Sequence, residues 1–460
     1  MTGVSSLPVA PGPTGPDMLR ALAVIRADPL AFLDQCARAF GPVTAFPVPG
    51  RPVLFVCEPA LVRQVLQTNH RAYGKRTVQY DALALVTGEG LLTSDGDAWR
   101  TMRRLLQPAF HHELLDGVVT GVLGAANEIS AEWAALPADA VIDLDEAMMR
   151  TTLRIVGTTL FGADLGAQAA SLVAAVVSAL DVVVARAQLP VRPPEWLPTP
   201  QTRALRASLR ALDAAVQELV EARRGASAAG ESADVLGLLL QARDEGLVTD
   251  EQVRHEVVTL IVAGHETVAA TMTWTWLLLG EHPAVATAVR AEAEEVLGAA
   301  ATSGTAVDHA TVQRLTTARA VVDESLRLFP PAWVISRRAL EPDRLGPVDV
   351  PAGSTVFASP YLLQRDPRCW SDPLTFDPAR FGPGTPAAAS RSGYLPFGAG
   401  PRLCIGRDLA LLEAPLLLSV LAARHDVLTP PLASVPLHAG VTLRPRDGVA
   451  VSVRRRAGSP

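Results

Sequence analysis

The sequence predicts a mainly α protein of the α+β class, in which a large helical region precedes a smaller β-rich region. Between residues 58 and 329 apolar residues recur at spacings of three and four, which indicates helices. After two consecutive prolines at 330–331 the pattern changes to short β runs at 348–351 and 354–358. No Gly/Ser-rich linker or repeat divides the 460 residues, so we expect one domain at 17–460 after a flexible segment at 1–16.

The remaining elements follow from the same rules. Residues 17–40 have the spacing of one helix, and 43–46 and 52–57 are short strands on either side of a Val-Pro-Gly-Arg turn. A long helix is predicted at 250–279. A coil rich in Pro, Asp and Arg runs from 365 to 392, a further helix covers 405–424, and β signals continue to residue 453. Breaks fall near 190–200 and 225–231.

Composition excludes several classes of protein. The 41 basic and 47 acidic residues give a net charge of −6, which provides no general attraction to nucleic acid or to an anionic membrane. Four cysteines without a CxxC pair or zinc spacing form neither a disulfide scaffold nor a zinc site. No signal peptide, membrane anchor, phosphate-binding loop or HExxH motif is present. We therefore expect a soluble, cytoplasmic monomer that binds no nucleic acid.

The first candidate site is the segment Phe-Gly-Ala-Gly-Pro-Arg-Leu-Cys-Ile-Gly at 397–406. Two glycines and a proline force a tight turn before Cys404, and an apolar run of helical length follows. The unpaired N–H groups and the dipole at a helix amino terminus favour a thiolate there. A single thiolate without a partner ligand nearby suits an axial ligand of haem. The alternative, a buried structural cysteine, is preferred for Cys36, Cys57 and Cys369.

This segment matches the FxxGxRxCxG haem loop of the cytochrome P-450 family at every fixed position. Three further motifs occur in the family's order, so the sequence resembles that family over nearly the whole chain after about residue 20. The resemblance implies the cytochrome P-450 fold, with heme b (iron protoporphyrin IX) between the long central helix and the helix after the cysteine loop. It implies that Cys404 binds the iron and that Phe397 contacts the cofactor.

The second motif is Glu-Ser-Leu-Arg at 324–327, which puts Glu324 and Arg327 on one helix face. By spacing alone, a surface ion pair worth less than about 1 kcal/mol is the ordinary interpretation. The resemblance, which extends to a meander motif at 376–381, implies instead that Arg380 joins the pair in a buried network behind the haem. Gln364 replaces the histidine of many relatives, and we expect a weaker contact there.

The third motif is Ala263-Gly264-His265-Glu266-Thr267, inside the long predicted helix. A glycine costs about 1 kcal/mol in a helix interior relative to alanine, and it can open a local groove toward Thr267. The alternative is an ordinary helix in which the threonine hydroxyl bonds to its own backbone. The resemblance implies that Ala263 and Gly264 belong to an oxygen-binding stretch. Thr267 would hold dioxygen and water, Glu266 would help to deliver protons, and His265 has no assigned role.

The fourth set of residues concerns the haem propionates. Trp99 and Arg103 resemble the WxxxR motif of the family, which implies that both meet a propionate. Arg402 and Arg338 match two further propionate contacts of the family. The chemistry agrees with this, because planar guanidinium groups pair well with carboxylates. For each arginine alone a solvated surface charge is the alternative. The neighbouring Arg337, Arg100 and Arg104 leave the exact choice of arginine open, including the choice between Arg337 and Arg338.

The resemblance implies a haem-thiolate monooxygenase that inserts one oxygen atom from O2 into an apolar small molecule, by hydroxylation or epoxidation. Electrons would come from a separate ferredoxin or flavodoxin that docks on the cysteine side, and bacterial secondary metabolism is the expected context. Two alternatives stay open. One is a peroxide-driven peroxygenase, although such relatives usually lack the acid–threonine pair. The other is a haem-dependent binding or sensor protein without turnover.

The expected substrate walls are mostly apolar and contain few aromatic residues. They comprise the segments 78–92, 172–196, 260–267, 332–335 and 437–441. This composition favours a flexible aliphatic or terpenoid-sized ligand.

Overall fold

A computed structural model describes residues 10–48, 52–110, 115–137, 140–165, 169–187, 199–226, 234–298, 307–385 and 393–456. Helices dominate up to residue 328, and most strands follow, as the sequence predicts. The α-helices are α1 Gly15–Ala27, α2 Pro29–Phe40, α3 Pro59–Arg63, α4 Val78–Thr87, α5 Gly96–Leu106, α6 Leu115–Ala134, α7 Leu144–Leu160, α8 Ala169–Ala187, α9 Pro200–Ala226, α10 Val235–Asp244, α11 Asp250–Glu281, α12 Pro283–Leu297, α13 His309–Val312, α14 Thr316–Leu328, α15 Pro360–Leu363 and α16 Arg407–Arg424.

The strands are short and lie mainly in the second half of the chain. They are β1 Val43–Phe46, β2 Val53–Val56, β3 Tyr73–Gly74, β4 Val141–Asp143, β5 Ile335–Ala339, β6 Asp343–Leu345, β7 Val348–Val350, β8 Thr355–Ala358, β9 His425–Leu428, β10 Leu437–Ala439, β11 Leu443–Pro445 and β12 Ala450–Arg455. The largest sheet has the order β1-β2-β8-β5-β3, with a parallel β2–β8 pair and antiparallel neighbours elsewhere. The smaller sheets are β10-β11, β4-β12-β9 and β6-β7.

The single helix expected at 17–40 is wrong, because the chain breaks at Asp28 into α1 and α2. The Asp28 side chain accepts a hydrogen bond from the backbone N–H of Ala31, 2.9 Å away, and Pro29 occupies the first position of the new helix. Proline suits that position because its missing N–H would have no helical partner there. The first helix begins at Gly15, inside the segment expected to be flexible, and residues 1–9 lie outside the described residues. The predicted break at 190–200 falls largely outside them as well.

The long helix α11 runs through the middle of the helical region. It starts with a capping box, in which Thr249 and Gln252 satisfy each other's backbone N–H groups. It packs chiefly on α7 and also meets α14 and α16. Among the described residues it is the one helix long and apolar enough to span a membrane, and 83% of its apolar window is buried inside the protein. That burial is typical of a helix in the core of a globular protein.

Two hydrophobic cores meet at the loop that carries the cysteine. The larger core joins the helices, and Phe397 and Ile405 pack against it. The smaller core lies under the five-stranded sheet and includes Ala399. The loop is therefore held from both sides.

The Glu324–Arg327 pair is buried, which confirms the expectation from the resemblance and excludes the surface ion pair. Both side chains are 0% exposed, and Arg327 donates to the two carboxylate oxygens of Glu324 over 2.6 and 2.7 Å. The other N–H groups of Arg327 donate to the carbonyl oxygens of Gln364, Pro373 and Thr375. Arg380 lies 3.4 Å from Glu324, as expected. The network ties the coil at 364–380 to α14.

Gln364 makes a stronger contact than the sequence suggested. It is fully buried, and its amide nitrogen donates to the carbonyl oxygens of Leu326 and Arg327, each over 2.9 Å. Its amide oxygen accepts from the backbone N–H of Leu395 over 2.8 Å. A glutamine has donors and an acceptor on one planar group, so it can bridge the end of α14 and the start of the cysteine loop.

We expect Glu324→Ala to destabilise the protein by roughly 3–5 kcal/mol, because it leaves the Arg327 charge buried without its partner. The measurement is thermal unfolding together with the fraction of purified protein that carries haem. Arg20→Ala is the control, since Arg20 and Asp17 have the same spacing but side chains that are 81% and 51% exposed. Equal stability of the two variants would contradict the structural role of the buried pair.

Candidate functional site

The segment 397–406 forms the tight loop that its glycines predict. Gly398 and Gly400 have φ angles of 71° and 70°, a region that side chains other than glycine rarely enter. A Cβ atom at Gly400 would also lie 2.0 Å from the carbonyl oxygen of Leu66. The backbone N–H of Cys404 donates to the carbonyl oxygen of Phe397 over 3.0 Å and closes the loop.

Cys404 lies two residues before the amino-terminal cap of α16, which is Gly406. Part of its side chain is accessible although protein atoms surround the thiol, so it faces a cavity. Burial raises the pKa of the thiol, whereas the Gly406 backbone N–H and the charges of Arg103 and Arg407 lower it. The net shift is upward, so the helix terminus alone does not produce the expected thiolate. A bound metal cation would have to supply the remaining stabilisation.

Trp99 and Arg402 contact each other, a pairing that the motifs did not predict. The guanidinium carbon of Arg402 lies 3.8 Å from the centre of the Trp99 ring, a cation–π arrangement. Arg402 also donates to the carbonyl oxygen of Ser94 over 2.9 Å and forms an ion pair with Asp95. Arg103 points toward the cysteine loop, where it donates to the carbonyl oxygen of Leu403 over 3.1 Å.

Lys75 belongs to the same cluster and was missed in the sequence. It is the chain's single lysine, it is buried, and its ammonium group donates to the carbonyl oxygen of Leu92 over 2.6 Å. Burial lowers its pKa well below the usual value, and the charges of Arg337 and Arg402 lower it further, while Asp95 acts in the opposite direction. The rarity of lysine in this arginine-rich chain was the sequence feature that could have drawn attention to Lys75.

The structure separates Arg337 from Arg338. Both are in β5, and successive side chains in a strand point to opposite faces. Arg337 is buried, and its charge lowers the pKa values of Lys75 and Arg402. Arg338 is half-buried and lies on the other face. The buried Arg337 therefore contributes to the electrostatic surroundings of Lys75 and Arg402, and the propionate contact of Arg338 stays a prediction.

The motif on α11 presents two different faces. Ala263, Gly264 and Thr267 are partly exposed, whereas His265 and Glu266 are buried. The hydroxyl of Thr267 donates to the carbonyl oxygen of Ala263 over 2.8 Å, the backbone interaction considered as an alternative. A Cβ atom at Gly264 would lie 2.9 Å from a methyl carbon of Val156, so the glycine allows α7 to approach.

Glu266 points away from the face that carries Thr267. Its Oε1 accepts a hydrogen bond from the hydroxyl of Thr442 over 2.6 Å, and among the described residues its Oε2 has no hydrogen-bond partner. Burial raises the pKa of Glu266 to about 7, although the Thr442 bond and the Arg444 charge lower it. The carboxyl group can therefore hold a proton at neutral pH. His265 is neutral at that pH, because burial lowers its pKa to about 4.

The described parts of the predicted substrate walls contribute mostly to the larger hydrophobic core, whereas Ile335 belongs to the smaller one. Several of the apolar residues at the larger core remain partly exposed, as expected of side chains around a cavity. They include Leu85, Leu92, Val177, Trp333, Leu437, Ala439 and Val441. Residues 188–196 of one wall lie outside the described residues.

Comparisons with known proteins agree with this geometry. The family model for cytochrome P-450 matches residues 10–447. Cyclooctatin synthase of Streptomyces melanosporofaciens is 35% identical over 451 residues, which cover 96% of this chain and 93% of the relative. Pentalenene oxygenase of Streptomyces avermitilis is 31% identical and covers 91% of each chain. The crystal structure of CYP175A1 from Thermus thermophilus has a TM-score of 0.75 and 31% identity, and covers 96% of this chain and 100% of that one.

The chain belongs to the cytochrome P-450 family. It is therefore an enzyme of the monooxygenase class, and the membership implies a haem cofactor, O2, a bound substrate and a redox partner.

The residues of this cytochrome P-450 fit that cofactor. Cys404 offers one thiol on the glycine-rich loop, and a single cysteine thiolate is a ligand that can hold haem iron. Beside it, the basic side chains of Lys75, Arg337 and Arg402 lie together with Asp95, and burial and their mutual repulsion lower the pKa values of Lys75 and Arg402. The two carboxylates of a haem would favour the charged forms of these basic groups, so the cluster fits the cofactor.

We expect Arg337→Ala to lower haem retention, because it removes one cation from the buried cluster. Arg338→Ala, the adjacent residue on the opposite face of β5, is the matched control and should retain haem like the parent. The measurement is the rate of haem transfer to an excess of an apoprotein acceptor. A faster rate for Arg338→Ala than for Arg337→Ala would reverse the assignment.

Proposed function

We propose that this cytochrome P-450 uses haem b to insert one oxygen atom from O2 into an apolar molecule of terpenoid size, by hydroxylation or epoxidation. The observation that carries the proposal is the chemistry gathered around Cys404. One thiol on a rigid, glycine-rich loop lies within the electrostatic range of Lys75 and Arg103. The partly exposed apolar walls described above supply a binding surface for a substrate without charges.

Cys404 would bind the iron, and Lys75, Arg337 and Arg402 would hold the propionates. When bound, the haem would supply the activation of O2 with two electrons delivered in turn, a reaction that a thiolate ligand from Cys404 would favour. The protein's own contribution is to exclude water with its apolar walls and to position the donors. The loop at 397–406 also keeps the thiol in one place relative to α11.

Thr267 would hold a water or an oxygen atom at the partly exposed face of α11. Its hydroxyl hydrogen is committed to the carbonyl oxygen of Ala263, so its oxygen atom is available as an acceptor. The proposed source of protons is Oε2 of Glu266, which lies on a different side of α11 and whose raised pKa leaves it partly protonated at neutral pH. These two groups give the site an acceptor and a source of protons.

The terpenoid class is supported by the relatives as well as by the walls. The chain is similar to cyclooctatin synthase and to pentalenene oxygenase, and their names point to terpenoid metabolism in bacteria. The walls at 437–441 and 78–92 contribute leucine, valine and alanine side chains. Such a surface suits a hydrocarbon skeleton, and bacterial secondary metabolism is the proposed context.

The electron donor would dock on the cysteine side. A groove of about 780 Å³ there reaches Cys404, and Arg103, Arg319, Arg407 and His309 are among the residues that line it. Three arginines and one histidine against one carboxylate, Asp408, make the lining mainly basic, which suits an acidic one-electron carrier, and we propose a ferredoxin or a flavodoxin. We also propose that residues 17–460 work as one domain in the cytoplasm.

Cys404→His should abolish the thiolate-type Soret shift of the reduced CO complex, because imidazole replaces sulfur as the ligand. Cys36→Ser, Cys57→Ser and Cys369→Ser are the controls and should each keep the shift. The measurement is the reduced-CO difference spectrum of each purified variant. A fully retained shift in Cys404→His would remove Cys404 as the iron ligand.

Thr267→Ala should keep the CO spectrum and still consume reducing equivalents, but it should form much less product and more hydrogen peroxide per electron pair. Alanine keeps the helix and removes the hydroxyl that holds water and oxygen in place. The test uses pentalenene as the first substrate, with a reconstituted ferredoxin system, and measures product and peroxide together. Coupling as tight as in the parent would exclude Thr267 from proton handling.

A further inference from the structure

We propose that Glu266 is a positioning residue that fixes the tip of the β10–β11 hairpin, a wall of the substrate cavity, onto α11 through Thr442. The inference rests on the proposed function only in treating that tip as a substrate wall. The contact itself joins two residues 176 positions apart in the chain. It gives the acid before Thr267 a second task besides holding a proton.

The hairpin presents its tip to the larger hydrophobic core. Strand β10 pairs with β11 so that Ala439 faces Leu443, and residues 440–442 form the turn. Ala439 and Val441 are partly exposed and pack against the core, whereas Thr442 is buried. A displacement of this tip would therefore change the shape of the cavity wall directly.

Because β10 and β11 are short, their hairpin needs contacts with other segments to hold it in place. Three side chains provide them from two other segments. Trp333 donates to the carbonyl oxygen of Gly440 over 2.9 Å, and Trp274 of α11 donates to the carbonyl oxygen of Leu443 over 3.0 Å. The third anchor is the Thr442–Glu266 bond of 2.6 Å, which lies between the other two along the chain.

The surroundings of Glu266 explain why its carboxyl group keeps Thr442 as its hydrogen-bond partner. The residue is 3% exposed, so its carboxyl group cannot exchange Thr442 for water at little cost. The charged groups that act on it are Arg444, Asp145 and Asp181, and Arg444 itself pairs with Asp181 over 3.3 Å. Because a hydroxyl can donate to a carboxyl oxygen in either ionisation state, the anchor persists whether or not Oε2 carries a proton.

The position of Glu266 on α11 separates the anchor from the oxygen face. Successive residues of a helix differ by about 100° around the axis, so Glu266 and Thr267 project in different directions. One direction leads to the hairpin, and the other leads to the partly exposed face with Ala263. The same turn of α11 therefore positions the substrate wall and the polar group beside the reaction.

The test compares Thr442→Val with Thr442→Ser in haem-loaded protein. Valine keeps the shape of threonine without the hydroxyl, and serine keeps the hydroxyl without the methyl group. We expect Thr442→Val to speed amide hydrogen exchange in residues 437–445 and to weaken pentalenene binding, measured by the haem spin-state change, by about fivefold or more. Thr442→Ser should resemble the parent in both measurements.

A double-mutant comparison identifies the partner. Glu266→Leu, close in volume to glutamate, should loosen the same peptides, and Glu266→Leu with Thr442→Val should be no looser than either single variant. Unchanged exchange in Thr442→Val, equal loosening in Thr442→Ser, or additive effects in the double variant would each overturn the anchor. If Glu266→Leu fails to load haem, the comparison of Thr442→Val with Thr442→Ser tests the anchor without it.

These outcomes are independent of the oxygenation reaction. Hydrogen exchange at 437–445 reports the hairpin without turnover, so the anchor can be confirmed even if no oxygenated product is ever found. Conversely, product formation with an unchanged hairpin in Thr442→Val would support the proposed function and overturn the anchor.

Discussion

Arg327 is a large charged side chain with no exposed surface, and the position of the cysteine loop depends on how that charge is neutralised. The carboxylate of Glu324 accepts hydrogen bonds from two of its N–H groups, and backbone carbonyl oxygens of the following coil accept hydrogen bonds from others. One of those carbonyls belongs to Gln364, whose side chain holds Leu395 two residues before the loop begins. A buried ion pair is weak evidence for stability in general, because desolvation offsets its attraction. Here it orients a coil that has little regular structure of its own.

A second constraint is electrostatic. The cluster of Lys75, Arg337 and Arg402 contains more positive charge than Asp95 can balance, and burial lowers the pKa values of Lys75 and Arg402. Like charges that are brought together and desolvated oppose folding unless an anion joins them. Haem carboxylates would relieve this repulsion, so cofactor binding and folding should support each other in this region.

The sequence was sufficient for features that depend on local chemistry. The glycines of the cysteine loop, the limits of α11 and the strand pair at 43–57 follow from turn residues and periodicity, which act over a few positions. The break at Asp28 was also readable as an aspartate cap before a proline. The choice between Arg337 and Arg338 could not be predicted from the sequence, because it depends on which face of β5 meets the loop. Lys75 and Thr442 were missed since their partners lie far away in the chain.

The motif on α11 shows how one helical turn can serve several purposes. Gly264 allows α7 to approach, Thr267 stays at the partly exposed face, and Glu266 reaches the hairpin on another side. A helix fixes these directions relative to each other through its regular turn of about 100° per residue, which an irregular loop does not provide. The proposed substrate wall and the hydroxyl of Thr267 are therefore positioned by the same rigid element. It follows that a shift of α11 would move both together and preserve their geometry, whereas a loss of the Thr442 bond would move the wall alone.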